Sequence, residues 1–258
     1  MHLITEVLKR AYADRSQVIG DSDFVKVDYS KLLSSGYAQE LRNSISLKKA
    51  TPSSEIKNPK TLMEPGTHTT HLSVIDDKGN AVASTLTIND SFGSCLAVPG
   101  TGIILNDEMD DFSAKVGEAN IYGLVSSEAN SIAPGKRPVS SMTPTIFMKN
   151  GKPVFVVGAA GGSRIITSVL LASLNYFVQF PSDVKRSVFA PRFHHQWLPD
   201  KLNLEGGLMD ALQDDLKSKG HKIAPPPFSP ILHAVGQSSD GVFVATFDPR
   251  DEGGAEAY

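Results

Sequence analysis

The feature that most constrains the fold is a change of pattern at the bond between His68 and Thr69. Before this bond, residues 51–66 hold three prolines among serine, lysine, asparagine and glutamate, a composition that cannot bury enough apolar area to stay ordered unaided. After it, polar and apolar residues alternate, which predicts a β-strand over residues 69–76. The pattern therefore predicts a linker that can detach, followed by a strand that begins at a threonine.

A threonine at the start of a strand has two interpretations. Thr69 can be an ordinary strand residue, because β-branched side chains suit strands. Alternatively, the bond before Thr69 is cut, and the freed α-amine, with an unperturbed pKa of about 7.7 to 8.0, deprotonates the Thr69 hydroxyl near neutral pH. Nucleophile and base would then belong to one residue. The residue pattern alone leaves both interpretations open.

Composition narrows the range of functions. The chain has 258 residues, 40% of them hydrophobic, which is enough for a sizeable core in one large domain or two small ones. With 25 basic and 28 acidic residues the formal charge is -3, so there is no electrostatic case for nucleic acid or an anionic membrane, and a small-molecule substrate fits better. The single cysteine, Cys95, excludes an internal disulfide and any multi-cysteine zinc site.

The order of the predicted elements indicates an α+β fold with antiparallel sheets, because strands pair as hairpins and helices are grouped between them. Apolar periodicity predicts two surface helices over residues 2–12 and 36–44, a buried core helix over 164–180 with Ser163 as N-cap, and a further helix over 208–219. Hairpins are predicted over residues 69–88 and 143–157, and a late strand over 242–247.

Three short patterns could carry chemistry. Thr87 and Asn89 lie two apart on a predicted strand, so their side chains should share one face. Four acids lie within residues 107–111, without the spacing of an EF-hand loop. Gly161 and Gly162 precede the capped helix, where backbone amides can approach a ligand closely and the helix dipole favours negative charge.

Each pattern also has an ordinary structural interpretation. The Thr-Asn pair can be polar surface decoration, the acids a solvated loop, and the two glycines a cap or a bulge. Ser140 and Ser141 follow a turn, where neighbouring hydroxyls are common. His194 and His195 have no third metal ligand at a recognisable spacing, so packing or capping histidines are expected there.

Taken in order and at their spacing, several long blocks resemble the γ-glutamyltransferase (γ-glutamyltranspeptidase) family of N-terminal-nucleophile hydrolases. The blocks are TTHLSVID, ASTLTIND, GTGIILNDEMDDFSAK, PGKRPVSSMTPTIF, GAAGGSRIIT and APRFHHQWLPD. The resemblance covers residues 69–258 and, more loosely, residues 1–50. It implies a four-layer αββα sandwich, incomplete at its N-terminal side, with residues 1–68 as a large-subunit remnant plus linker and residues 69–258 as the small catalytic subunit.

The resemblance also implies catalytic roles for matching residues. Thr69 would be the nucleophile, released by autocatalytic cleavage between His68 and Thr69, and Thr87 would hydrogen-bond it. The amides of Gly161 and Gly162 would form the oxyanion hole.

Substrate-binding roles follow in the same way. Asn89 would contact the α-amino acid end of the donor, Glu108 and Asp111 would hold its α-ammonium group, and the Ser140-Ser141 pair would bind its α-carboxylate. A lid over residues 115–122 would close with Tyr122, although Val116 stands where the family often has proline.

The implied reaction is transfer or hydrolysis of the γ-glutamyl group of glutathione and other γ-glutamyl amides through an ester on Thr69. Water, an amino acid or a peptide would be the acceptor, without a metal, an organic cofactor or a nucleic acid. By the same resemblance the enzyme would be periplasmic, extracellular or the ectodomain of a membrane-anchored protein.

One departure from the family is large. Members of this family carry a long segment before the region that matches Met1, and that segment includes an arginine that pairs with the donor carboxylate. The residues around Arg10, Arg15 and Arg42 do not match the residues around that arginine. The chain is therefore expected to be the C-terminal part of a precursor, with unpaired edges and an apolar face that require a complementary large-subunit chain.

Two alternatives remain at this point. The first is an acylase of the same superfamily that removes dicarboxylyl side chains, although such substrates lack the α-ammonium group that Asp111 would bind. The second is a non-catalytic, light-chain-like protein that keeps the fold and binds a partner chain.

Overall fold

Helices and mostly antiparallel strands share the chain in the computed structural model, which describes residues 1–56 and 69–257. Leu202 and Asn203 pair in parallel with Ile223 and Ala224, so the prediction of antiparallel sheets holds only in part. Within these ranges the α-helices are α1 (His2–Val18), α2 (Tyr29–Leu32), α3 (Ser35–Asn43), α4 (Ser53–Ile56), α5 (Arg164–Leu174), α6 (Val184–Phe189) and α7 (Gly206–Ser218). The strands are β1 (Thr69–Ile75), β2 (Ala81–Thr87), β3 (Thr145–Lys149), β4 (Lys152–Ala160), β5 (Phe193–His194), β6 (Leu202–Leu204), β7 (Ile223–Ala224), β8 (Ile231–Gln237) and β9 (Phe243–Phe247). The predicted α+β class is therefore correct.

The first compact unit comprises residues 1–56, 108–140 and 193–226 and is organised on α1. Glu6, Lys9 and Arg10 of this helix are all buried. Glu6 accepts a 2.8 Å hydrogen bond from Arg10, and Lys9 lies 3.4 Å from Asp200. The prediction of a surface helix over residues 2–12 is therefore wrong, because ion pairs inside the unit allow charged side chains to be buried. The predicted surface position of α3 is confirmed, since none of its residues is buried.

The second unit comprises residues 69–107, 141–192 and 227–257. Its four-stranded antiparallel sheet has the order β3-β4-β8-β9. Helices α5 and α6 cover one face of this sheet. The core between them contains apolar side chains from β4, β8 and both helices, among them Phe155, Val157, Ile165, Val188 and Leu232. Burial of these side chains, at about 25 cal/mol per Å² of apolar surface, stabilises the unit.

The β1–β2 hairpin contacts β4 and β8 of the sheet. Its strands pair from Thr69 opposite Thr87 to Ile75 opposite Ala81. The side chains that alternate inward include threonines, a serine and a buried histidine, whereas the outward ones include four exposed apolar residues, Leu72, Val74, Val82 and Leu86. The hairpin thus presents its polar face to the sheet, which reverses the usual arrangement of a half-buried strand.

Local turn chemistry explains the element boundaries. Asn150 and Gly151 join β3 to β4 with φ of 52° and 75°, the left-handed values that a tight two-residue hairpin requires. Helix α5 continues into a π-helical turn, Asn175–Gln179, so the apolar stretch predicted over residues 164–180 is helical almost throughout. Ser163 occupies the N-cap position, but its side chain makes no capping hydrogen bond.

Two further findings bear on the expectations from sequence. The compact units do not follow a division at residue 68, because residues 108–140 and 193–226 belong to one unit with residues 1–56; the division into subunits stays a prediction. Among the described residues, no helix combines the length and the apolar character needed to span a bilayer.

Candidate active site

Thr69 is the first residue of β1, and its hydroxyl is oriented by the neighbouring strand. The Thr69 Oγ1 donates a 3.0 Å hydrogen bond to Oγ1 of Thr87, which lies directly opposite in the hairpin. Both side chains are half-buried. The pairing expected from the family resemblance between these two residues is present in the structure. His68, the other half of the expected cleavage site, lies outside the described residues.

The chain leaves β2 immediately after Thr87. The Asn89 amide donates a 2.9 Å hydrogen bond to Thr87 Oγ1, and the Asn89 side chain donates to the Asp107 carbonyl at 2.9 Å. Because β2 ends at Thr87 and Asn89 has a φ of 72°, the expectation that both side chains share one strand face is wrong. Asn89 instead reaches the vicinity of Thr87 through a left-handed turn, a conformation that asparagine tolerates better than most residues.

Among the described residues, His71 is the histidine nearest in sequence to Thr69, and its ring nitrogens are bonded to other hydroxyls. Nδ1 lies 2.7 Å from Thr85 Oγ1, and Nε2 lies 2.9 Å from Ser73 Oγ. Burial, together with the nearby His233, lowers the pKa of His71 to about 4. A neutral ring whose two nitrogens are both engaged is not positioned to take a proton from Thr69, so His71 acts as a packing group between hairpin and sheet.

Gly161 and Gly162 lie between the end of β4 and the start of α5. Their φ values are 139° and 53°, and an added Cβ on Gly161 would lie only 2.8 Å from Pro230. The close approach of Pro230 and the φ of 139° require glycine at position 161, and the left-handed φ of Gly162 favours it. The Gly161 and Gly162 carbonyls accept hydrogen bonds from the amides of Arg164 and Ile165 at 3.1 Å each. The turn therefore leads directly into the N-terminus of α5, where the helix dipole favours a developing negative charge.

The acidic cluster forms a 3₁₀ turn over Glu108–Asp111 in the first unit. Burial and the neighbouring charges of Glu108 and Asp110 raise the pKa of Asp111 to about 7. The Asp110 carboxylate accepts a 2.9 Å hydrogen bond from the Ile121 amide. A bound cation would therefore favour the ionised form of Asp111.

The sequence analysis set Arg15 aside as a substrate-binding arginine, yet it contacts residues expected to bind the substrate. Its guanidinium donates a 3.3 Å hydrogen bond to the Ser140 carbonyl, and its charge opposes the rise in the Asp111 pKa. Burial in turn lowers the pKa of Arg15 itself. No sequence signal joined these residues, because 125 positions separate Arg15 from Ser140.

The other residues expected to bind the substrate, Ser140, Ser141 and Tyr122, differ in burial. Ser140 is exposed and Ser141 is half-buried, and the Ser141 carbonyl accepts a 2.9 Å hydrogen bond from Thr143. Tyr122 is buried, and its carbonyl accepts a 2.8 Å hydrogen bond from Gln196. The structure thus positions the backbone of this tyrosine within the first unit.

The two adjacent histidines pack as predicted. His195 accepts a 3.1 Å hydrogen bond from the Trp197 amide at Nδ1 and lies 3.3 Å from Asp200 through Nε2. His194 is bonded to Gln196 at 2.8 Å and meets the Tyr12 ring edge-on. Both rings are buried among protein partners, as structural histidines are.

Comparison with known proteins gives one consistent result. The family model described as gamma-glutamyltranspeptidase matches residues 1–258. The glutathione hydrolase proenzyme of Escherichia coli (strain K12) is 45% identical over 250 residues, which are 97% of this chain and 43% of that protein. The corresponding proenzyme of Pseudomonas sp. (strain A14) is 48% identical over 227 residues, or 88% of this chain and 39% of the relative. The chain therefore spans less than half the length of these relatives.

Solved structures agree with the sequence comparisons. A gamma-glutamyltranspeptidase mutant from Helicobacter pylori superposes with a TM-score of 0.67 at 47% identity, covering 70% of this chain and 100% of that chain. The gamma-glutamyltranspeptidase of Pseudomonas nitroreducens complexed with L-DON gives a TM-score of 0.69 at 39% identity, with 73% and 99% covered. A cephalosporin acylase from Bacillus halodurans gives 0.80 at 25% identity, covering 100% of this chain and 44% of that chain.

Proposed function

Because the chain belongs to the gamma-glutamyltranspeptidase family, whose model matches it from end to end, we propose that it forms the catalytic part of an enzyme that transfers or hydrolyses γ-glutamyl groups. The donors are glutathione and other γ-glutamyl amides, and the acceptor is water, an amino acid or a peptide. The relatives' names as glutathione hydrolase proenzymes support this donor class. They also support maturation from a longer precursor.

The observation that carries the proposal is the environment of the Thr69 hydroxyl. It donates to the hydroxyl of Thr87, which is no base at neutral pH, and the nearby His71 is neutral with both nitrogens bonded elsewhere. The α-amine of Thr69 itself is a suitable proton acceptor, because its unperturbed pKa lies near 7.7 to 8.0. That amine exists only after the bond to His68 has been cut.

We propose that the chain makes this cut itself. The Thr69 hydroxyl attacks the carbonyl of His68, the acyl group moves from nitrogen to oxygen, and water hydrolyses the ester to leave residues 1–68 and 69–258. The freed Thr69 then attacks the γ-carbonyl of the donor, its proton passes to the α-amine and on to the leaving amine, and a γ-glutamyl ester forms on Thr69. Water or an acceptor amine releases the γ-glutamyl group.

The other expected residues receive roles in the same proposal. Asn89 binds the α-amino end of the donor, together with Glu108 and Asp111, whose negative charge complements the ammonium group. Ser140 and Ser141 bind the α-carboxylate.

Three further positions complete the machinery. Backbone amides of Gly161 and Gly162 stabilise the oxyanion, a role supported by their side-chain-free turn at the start of α5. Tyr122 closes a lid segment over the donor.

The proposed fold is a four-layer αββα sandwich that this chain only partly supplies. In the second unit, α5 and α6 pack on the four-stranded sheet and the β1–β2 hairpin also contacts it, which supports assigning these elements to three of the four layers. The exposed apolar face of the hairpin, with Leu72 at 57% and Leu86 at 66% exposure, fits a fourth layer from a complementary large-subunit chain.

Intact-mass spectrometry and N-terminal sequencing of the purified protein test the central step. We expect a second N-terminus at Thr69 and release of the chromophore from a γ-glutamyl anilide, whereas Thr69→Ala should remain one chain without activity. Thr69→Ser is the matched variant that keeps a hydroxyl and should cleave more slowly. Turnover of the anilide by an uncut chain would refute the α-amine as base.

A dicarboxylyl acylase is the second candidate, because a cephalosporin acylase covers the whole chain with a TM-score of 0.80. A glutaryl anilide differs from the γ-glutamyl anilide only by lacking the α-ammonium group. The γ-glutamyl enzyme should prefer the γ-glutamyl compound, because an unpaired acid in the donor site disfavours a substrate without the cation. Equal or faster release from the glutaryl compound would favour the acylase.

A further inference from the structure

Three potential metal ligands that have no role in the proposed reaction meet in the first unit. His2 and Glu6 lie one turn apart on the same face of α1, and His221 follows α7. All three side chains are buried, and one donor atom from each lies within 4.8 Å of the other two. The sequence analysis missed this cluster, because side-chain periodicity does not show that His221 lies beside the first turn of α1.

The two imidazoles already have the orientation that a shared ion needs. His2 Nδ1 lies 2.7 Å from His221 Nε2, with the rings at 68° to each other. His2 Nε2 lies 2.8 Å from the Ser46 carbonyl. A carbonyl only accepts hydrogen bonds, so Nε2 carries the hydrogen and the lone pair of His2 Nδ1 points at His221. A carbonyl behind the ring is the partner that usually fixes a metal-binding histidine.

Glu6 is held beside this pair by contacts that leave it able to bind an ion. Its carboxylate accepts hydrogen bonds from the Thr51 amide at 3.1 Å and from Arg10 at 2.8 Å. Lys9 Nζ lies 3.5 Å from the same carboxylate. An ionised carboxylate has about four lone-pair sites, so these contacts can persist while another site faces a metal.

The neighbouring cations have acceptors besides Glu6. Lys9 lies 3.4 Å from Asp200 and donates to the Thr51 carbonyl. Arg10 donates to the Ser44 carbonyl at 3.0 Å and to the Ser44 hydroxyl at 2.8 Å. The positive charge around Glu6 is therefore shared with other groups, which reduces its competition with a bound ion.

We propose that His2, Glu6 and His221 form a binding site for a divalent transition-metal ion of the zinc type. Two imidazoles and one carboxylate are a known zinc ligand set, with a further position left to water. Ligands on a tetrahedral ion with bonds of 2.0 to 2.1 Å lie about 3.3 Å apart, so the rings need to separate by only about 0.6 Å. The ion replaces the hydrogen between them, and His221 shifts to the tautomer with hydrogen on Nδ1.

Such a site would tie the first turn of α1 to the segment between α7 and β7. It belongs to the scaffold of the first unit and takes no part in the proposed chemistry at Thr69. Its existence is therefore independent of whether the chain cleaves itself or transfers γ-glutamyl groups.

The test is a titration of the full chain, prepared without a histidine tag, with Zn²⁺ and with Co²⁺ in the presence of a chromogenic chelator. We expect one ion per chain, a visible Co²⁺ absorption band typical of four-coordinate geometry, and a higher melting temperature with Zn²⁺. Ca²⁺ should not compete, because it prefers oxygen ligands.

The diagnostic variants are His2→Gln and His221→Gln. In His221→Gln the new side chain has an N–H that can donate to His2 Nδ1, so we expect the fold to persist. Far-UV circular dichroism would verify this. Each should weaken Zn²⁺ binding by at least about 10- to 100-fold, the loss typical of removing even an outer partner of a metal ligand. His194→Gln is the control, since His194 is an equally buried histidine of the same unit that pairs with Gln196.

Binding that survives in both cluster variants, or that is lost equally in His194→Gln, would overturn the assignment. So would a folded chain that takes up no Zn²⁺ or Co²⁺ in stoichiometric amount.

Discussion

The Thr69 hydroxyl is fixed by a short series of hydrogen bonds that ends on the backbone. Thr69 donates to Thr87, and the Thr87 oxygen also accepts from the Asn89 amide. The second contact is made just beyond the end of β2, where the chain leaves the strand. A nucleophile held in this way has lost much of its rotational freedom before any substrate binds, which favours reaction from one orientation.

Replacing Thr87 tests this orientation. Thr87→Val keeps the β-branched shape but removes the acceptor for both Thr69 and the Asn89 amide. We expect the rate of γ-glutamyl anilide cleavage to fall by roughly 10-fold or more, because a lost hydrogen bond to a buried group costs about 1 to 3 kcal/mol and 1.36 kcal/mol corresponds to a factor of ten. Thr87→Ser is the matched control and should retain most of the rate. Equal rates in both variants would contradict the role of the hydroxyl.

The raised pKa of Asp111 predicts that donor binding depends on pH. Its pKa is raised to about 7 by burial and by Glu108 and Asp110, so the carboxyl is mostly ionised above pH 7 and mostly protonated below it. An ammonium group binds the ionised form. The inhibition constant of glutamate, measured from pH 5 to 9, should therefore weaken by up to about tenfold per pH unit below 7.

Asp111→Asn provides the control for this titration. The amide carries no charge at any pH, so glutamate should bind weakly and without the step near pH 7. A variant that keeps the same pH profile as the parent would assign the titration to another group.

At the scale of elements, the hairpin and the sheet beneath it meet through one unusual contact. The buried His71 ring lies directly over the backbone of Gly158 in β4, so that an added Cβ on Gly158 would overlap the ring. His71 is hydrogen-bonded to Thr85 and Ser73, which leaves it little freedom to move aside. The glycine therefore sets the distance between the two β-layers of the second unit.

Gly158→Ala should consequently destabilise the second unit. We expect a loss of about 1 to 3 kcal/mol, typical of an overpacked core, visible as a lower midpoint in urea denaturation followed by circular dichroism. Gly254→Ala is the control in the same unit, because an added Cβ there meets nothing within 4 Å. Equal midpoints for the two variants would show that the hairpin can shift at little cost.

At the scale of the whole molecule, the apolar outer face of the hairpin is the feature that remains without a covering layer among the described residues. Leu72, Val74, Val82 and Leu86 lie side by side on β1 and β2 and are all exposed. An exposed apolar face was expected from the family resemblance, and the burial pattern shows one on this hairpin. Contiguous apolar patches of this kind mark association surfaces.

Polar substitution on this face should change the association of the chain. Leu72→Ser combined with Leu86→Ser is expected to reduce self-association in light scattering and to abolish binding of a separately produced large-subunit segment. The thermal midpoint should change little, because both side chains are already exposed. The control is Leu33→Ser, because Leu33 is 83% exposed and lies outside the hairpin. If Leu33→Ser changed association as much as the double substitution, the hairpin face would not be a specific surface.

Local patterns in the sequence determined a large part of this protein. The strand that begins at Thr69, the Asn150-Gly151 turn and the helix after Gly161-Gly162 follow from side-chain periodicity and from residues that tolerate positive φ, and these depend on near neighbours only. The family resemblance, carried by long blocks in fixed order, indicated which of these residues could do chemistry.

Tertiary structure alone decided which polar groups are buried and which residues they contact. The ion pair of Lys9 with Asp200, the approach of Arg15 to Ser140 and the meeting of His2 with His221 join residues that lie 125 to 219 positions apart. Short-range periodicity carries no information on such contacts. The inverted hairpin has the same origin, because alternation shows that a strand has a polar and an apolar face, and only packing against the sheet selects the face that turns inward.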